Sequence, residues 1–163
     1  MIAINGLTLR EEPALAESVD ALFRQRYGTP GPDFPHHVVA WWRDGVQERP
    51  LCYIHFSARG ELLLGGGACV DQRALRRLPA SLRESIRANG GLYHLSLAWS
   101  LRHFRGRFRA VFGYCGDALA DRVDRAVGFA DTGHQHLLVY WLDAEDAASR
   151  ARLIAEAHAV GPF

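Results

Sequence analysis

The chain has 163 residues, 48% of them hydrophobic and 23% charged, with a formal net charge of +1, which fits one domain able to bury a core without covalent staples. No run approaches the roughly 18 to 20 apolar residues of a membrane span, and the opening Met-Ile-Ala-Ile-Asn-Gly has neither the basic segment nor the apolar stretch of a secretory leader. A cytoplasmic protein with free thiols at Cys52, Cys69 and Cys115 is therefore expected. All 19 cationic residues are arginine, a bias that also fits a GC-rich bacterial genome. The absence of lysine excludes an internal Schiff base, a Walker P-loop and a kinase-type lysine, and leaves anion binding to arginine forks and backbone amides.

Residues 1–9 alternate loosely and predict a short strand. Glu11-Glu12-Pro13 suits the first turn of a helix over 13–26, with Leu15, Val19, Leu22 and Arg26 in one row. Three prolines and two glycines between Gly28 and Pro35 make a loop, expected on the substrate side. His37–Arg43, Leu51–Ser57 and Glu61–Val70 form an antiparallel meander whose last two strands join at Ala58-Arg59-Gly60. Gly65-Gly66-Gly67 inside the third strand marks either a bulge that bends the sheet or the close approach of a ligand.

Pro79 and the capping-box spacing Ser81-Leu82-Arg83-Glu84 predict a short helix ending near Asn89-Gly90. Residues 91–105 fit a helical row (Leu92, Leu95, Trp99, Arg102) and strand alternation (Tyr93, Leu95, Leu97, Trp99) alike; topology favours the helix. Arg109–Cys115 is a short apolar strand. Asp117 then caps a helix with Leu119, Val123, Ala126 and Val127 on one face, closed by Gly128-Phe129. Gln135–Trp141 is a final strand, and Asp143–His158 a helix stopped by Gly161-Pro162.

This order of elements implies a mixed α/β architecture. The segment from Asp117 to Gly128-Phe129, in which a polar residue after a strand opens a helix that ends eleven residues later in Gly-Phe, resembles the carboxyl-terminal signature of the GNAT acyltransferases. The resemblance covers residues 109–141 as sequence and most of the chain as element order. It implies a single GNAT-like domain over 1–163, with a mostly antiparallel central sheet flanked by helices and a splay between two strands in its middle. Acyl-CoA would lie in that splay along Gly67, Ala68, Cys69 and Val70, with Asp117 at the opposite strand's turn. Its pyrophosphate would sit on a helix N-terminus, where free amides and the helix dipole favour an anion. The pyrophosphate motif matches best at Arg87-Ala-Asn89-Gly90-Gly91-Leu92. Its last position is leucine, expected to obstruct close approach, and an insertion over 71–89 precedes it.

Many members place a tyrosine seven residues beyond the polar opener to protonate the departing thiolate; here that position is Asp124. Tyr114, on the strand before the turn, is the substitute general acid, set against a tyrosine that only satisfies its hydroxyl in a core. His94, Asp71 or a water chain are the candidates for general base.

Residues 71–109 carry nine arginines against Asp71 and Glu84, a local charge of +7, while the rest of the chain carries −6. Such a face suits the nucleotide phosphates of coenzyme A, a nucleic acid, or solvent and internal ion pairs; no nucleic-acid module accompanies it, so nucleic acid is not the expected partner. His134 and His136, and His36 with His37, lack the third ligand of a zinc site, and no metal is expected. The expected activity is transfer of an acyl group from acetyl-CoA or another acyl-CoA to the amine of a small molecule or protein, by direct attack on the thioester. No membrane partner is expected, and a homodimer is left open. The alternative is a GNAT-like binding or assembly module without catalysis, which exposure of Trp41, Trp42 or Trp99 on an apolar patch would favour.

Overall fold

A computed structural model describes residue 4 and residues 6–163. Seven strands, β1 (Leu7–Glu12), β2 (His36–Asp44), β3 (Gln47–Arg59), β4 (Leu62–Val70), β5 (Ala110–Tyr114), β6 (Ala130–Asp131) and β7 (Leu137–Trp141), form one sheet in the order β1-β2-β3-β4-β5-β7-β6. Every pairing is antiparallel except β4 with β5. The helices are α1 (Glu17–Tyr27), α2 (Gln72–Arg77), α3 (Ala80–Ala88), α4 (Leu92–Phe104), α5 (Ala118–Val127) and α6 (Ala147–Val160). The mixed, mostly antiparallel sheet and its helical flanks match the expectation.

Side-chain alternation divides the core between the two faces of the sheet. Ile54, Phe56, Leu63 and Val111 point to one face, where Leu82, Ile86, Leu92, Leu97, Leu101 and Phe104 of α3 and α4 cover them. Leu62, Leu64, Ala110 and Phe112 point to the other, under Leu153 and Ala157 of α6. On that second face Val39, Trp41, Tyr53 and Cys69 pack beneath Val19, Leu22 and Phe23 of α1.

Several boundaries differ from expectation. Residues 1–3 and 5 of the expected first strand lie outside the described residues; β1 runs from 7 to 12, so Glu11 and Glu12 are strand residues. They can be, because both are paired: Glu11 meets His36, His103 and Arg107, and Glu12 meets Arg10 and the Trp41 indole. Helix α1 consequently starts at Glu17. The 71–89 insertion holds two helices. Asp71 caps the first, accepting from the Arg73 and Ala74 amides at 2.9 Å. Ser81 and Glu84 form no capping box, because α3 begins after Pro79, without a side-chain cap. Residues 92–104 are helical, and Gly128 closes α5 in the left-handed region (φ 118°) as expected. On α5 itself Leu119 and Ala126 are exposed, and the buried residue is Asp124.

Candidate active site

The parallel pairing of β4 with β5 is four residues long. It ends at Gly65 opposite Gly113. Beyond that point β4 keeps β3 on one side, through Ala68–Ile54, Cys69–Tyr53 and Val70–Cys52, while β5 continues alongside β7. The two strands part here, leaving the edge of Gly66–Val70 without a strand partner, and Gly67, Ala68, Cys69 and Val70 all lie on it. The Ala68 carbonyl accepts from the Tyr27 hydroxyl at 2.7 Å. The Cys69 side chain is buried under α1, where burial pushes its thiol up to about 12. Burial does the same to Cys52 and Cys115, so all three thiols stay protonated and unreactive.

The three glycines have a local cause. The β3–β4 register shifts between Ile54 and Phe56, so Gly66 and Gly67 together oppose His55, the arrangement of a β-bulge. A Cβ at Gly66 would overlap the Nε2 and Cδ2 atoms of His55, and one at Gly67 would sit 2.9 Å from its Cε1. His55 is 5% exposed, with its ring 5.0 Å from Phe34 and 5.5 Å from Phe23. Its Nδ1 is buried without a hydrogen-bond partner. Burial, reinforced by neighbouring His37, pulls its pKa from 6.5 to about 4, so the imidazole is neutral at pH 7. His37, directly opposite on β2, is satisfied by the Tyr53 hydroxyl at 2.8 Å. A cavity of about 370 Å³ opens against His55, Gly66 and Gly67, walled by Phe23 and Tyr27 of α1, by Phe34 and prolines of the 28–35 loop, and by Phe163. The loop borders this cavity.

Tyr114 is the first β5 residue beyond the parallel pairing, on the α6 face of the sheet. Its hydroxyl is 3.2 Å from His158 Nδ1, and its ring is 5.2 Å from the Phe163 ring that walls the cavity. His158 in turn stacks on His134, with ring centroids 3.7 Å apart. Tyr114 and His55 thus flank the parting strands.

The remaining candidates occupy other places. Gly90 and Gly91 have φ of +85° and +93° and lead into α4, whose first-turn amides lack helical acceptors. Arg87 is exposed beside them, whereas Asn89 is committed to the Ser85 carbonyl at 2.8 Å. Leu92, expected to block this end, is buried in the core and points away from it. His94 packs its ring over Gly90 at the start of α4. The Asp117 carboxylate is occupied by the Leu119 and Ala120 amides, which hold its pKa down; it fills the α5 N-terminus itself. Asp71 is likewise a helix cap. His134 and His136 precede β7 instead of lying within it, and His36 and His37 bond to Glu11 and Tyr53 separately. Trp41 is buried, Trp42 is half-buried, and Trp99 is half-buried against His103. Sequence reasoning missed His55. The available signal was a histidine in the strand hairpinned to three consecutive glycines.

No protein-family model matches this sequence, and no curated protein matches it. Solved structures do share its architecture. The ribosomal-protein-S18-alanine N-acetyltransferase of Escherichia coli superposes with a TM-score of 0.55 at 9% identity, over 86% of this chain and 97% of that one. A GNAT family acetyltransferase from Brucella melitensis, in complex with acetyl-CoA, gives 0.50 at 14% identity, over 86% and 90%. The E. coli protein YhhK, bound to coenzyme A, gives 0.54 at 15% identity, over 83% and 98%. The chain has the GNAT fold.

Proposed function

We propose that the protein is an acyl-CoA-dependent acyltransferase acting on an amine, with its reacting centre where β4 and β5 part. The observation that carries this reading is the open β4 edge at Gly66–Val70, ending a four-residue parallel pairing and lying beside a cavity that contains a neutral imidazole. Similar structures hold coenzyme A or acetyl-CoA, and the residues present fit such a ligand. Backbone groups of 66–70 that face away from β3 are free to pair with the extended part of an acyl-CoA, the Ala68 carbonyl once Tyr27 yields it. The amides after Gly90-Gly91 and the exposed Arg87 suit its phosphates. An acyl-CoA supplies an activated thioester. Amides of the β4 edge polarise its carbonyl, and Tyr114 donates a proton toward the sulfur.

Isothermal titration with acetyl-CoA and free coenzyme A at two salt concentrations tests the reading. Micromolar binding that weakens with salt is expected. No heat and no thermal shift would mean that the fold persists without this ligand, and the alternative of a non-catalytic binding module would take its place. Tyr114→Phe is expected to lower turnover about 100-fold with coenzyme A affinity near wild type; unchanged turnover removes Tyr114 from the chemistry.

A further inference from the structure

Among the described residues, no Asp, Glu or Arg side chain lines the cavity beside His55. Four aromatic residues, Phe23, Tyr27, Phe34 and Phe163, dominate it, and its polar side chains are those of His55, Tyr27 and Thr29. His55 carries two unfavourable features at once. Its Nδ1 is buried without a partner, which costs desolvation energy, and its ring fits only because two strand-interior residues are glycine, which weakens a strand. His37, one strand away and equally buried, has its hydroxyl partner, so the fold can satisfy an imidazole here. An unsatisfied one in the lining of a cavity calls for a functional account.

We propose that this cavity receives the acyl acceptor, that the acceptor is a primary amine on an aromatic or aliphatic group bearing no second charge, and that His55 takes the proton the amine loses. The inference rests on the acyl-transfer reading above. An amino acid's carboxylate would meet no arginine side chain in this lining, and a polyamine's second ammonium would meet no Asp or Glu side chain. An apolar wall also favours the neutral, nucleophilic amine. In the step, the nitrogen–carbon bond forms as the carbon–sulfur bond breaks. The amine N–H proton passes to the neutral imidazole, and Tyr114 gives its proton to the sulfur. Return of the proton from His55 to Tyr114 through solvent leaves amide and thiol as the only products.

The test uses the full chain with acetyl-CoA and 2-phenylethylamine, spermidine or glycine as acceptor, monitored by thiol release. Phenylethylamine is expected to exceed the other two in kcat/KM by at least about 30-fold. Preference for spermidine or glycine overturns the assigned substrate class. Acetyl-CoA binding without transfer to any of the three overturns the proposal and spares the ligand reading, whereas absence of acetyl-CoA binding overturns that reading itself. His55→Gln is expected to lower kcat about 100-fold with the KM for acetyl-CoA unchanged; wild-type kcat removes His55 from the step. Should that variant fail to fold, Phe34→Ala, in the loop, should raise the KM for phenylethylamine about 10-fold, and an unchanged KM overturns the pocket assignment.

Discussion

Asp124 occupies the place of the resembled family's tyrosine, yet its carboxylate turns inward to the interface of α4 and α5. It accepts the Tyr93 hydroxyl at 2.8 Å. Burial raises its pKa, and hydrogen bonds from Tyr93 and the Cys115 thiol pull it back. Tyr93→Phe should therefore cost about 1–3 kcal/mol at neutral pH, with a smaller loss near pH 3, where the carboxyl is protonated folded or unfolded; urea titrations at the two pH values check this. His55 gives a second dependence on pH. Its pKa is depressed in the native state, so an unfolded chain binds a proton that the native one refuses. That contribution to stability is complete above 6.5 and is lost as pH falls toward about 4. His55→Phe should flatten thermal stability across this window. The resemblance points to Tyr114 and Asp117, but the sequence cannot show that His55 faces two glycines, because a register shift decides which residues oppose each other.

Among the elements, those with strong periodicity or firm stops were legible, namely the meander and α5 with its Gly128 closure, whereas the pattern over α4 fits helix and strand alike and topology decides it. Helix α2 was not legible, since six residues hold less than two turns of pattern and none is buried. Strand β1 was obscured because two adjacent glutamates suit a helix N-terminus, and only long-range partners make them compatible with a strand. Glu11 is pushed up by burial and then carried well below it by hydrogen bonds from Arg107, His103 and His36, from 4.5 to about 2. It ties β1 to β2 and to the end of α4. Its contribution is present above pH 4.5 and disappears as pH falls toward 2. Glu11→Gln should be less stable than wild type at neutral pH and equal to it near pH 2, read from denaturant midpoints.

At the scale of the molecule, the unpaired arginines of 71–109 and the apolar cavity have different linings. Most of the 71–109 segment lies on the α3–α4 side, and Arg73, Arg76, Arg77, Arg87, Arg102 and Arg105 are exposed without a carboxylate partner among the described residues. Arg107 and Arg109 differ, being held by Glu11, Glu61 and Glu145. The apolar cavity lies on the α1–α6 side, and the gap between β4 and β5 is where the two sides meet. Charge asymmetry was countable from sequence; the placement of the cavity was not, because its walls come from 23–34, 55–67 and 163. Arg87→Ala should weaken coenzyme A by about 3- to 10-fold and reduce the salt dependence of binding, measured by titration calorimetry.

The contact between His55 and Gly66 carries a genetic consequence. Because a methyl at 66 and an imidazole at 55 claim the same space, the two positions are not free to vary independently. In a library randomised at both and selected only for folding, a side chain at 66 should survive chiefly where 55 has become small, and that epistasis should vanish when 66 is paired instead with the neighbouring position 53.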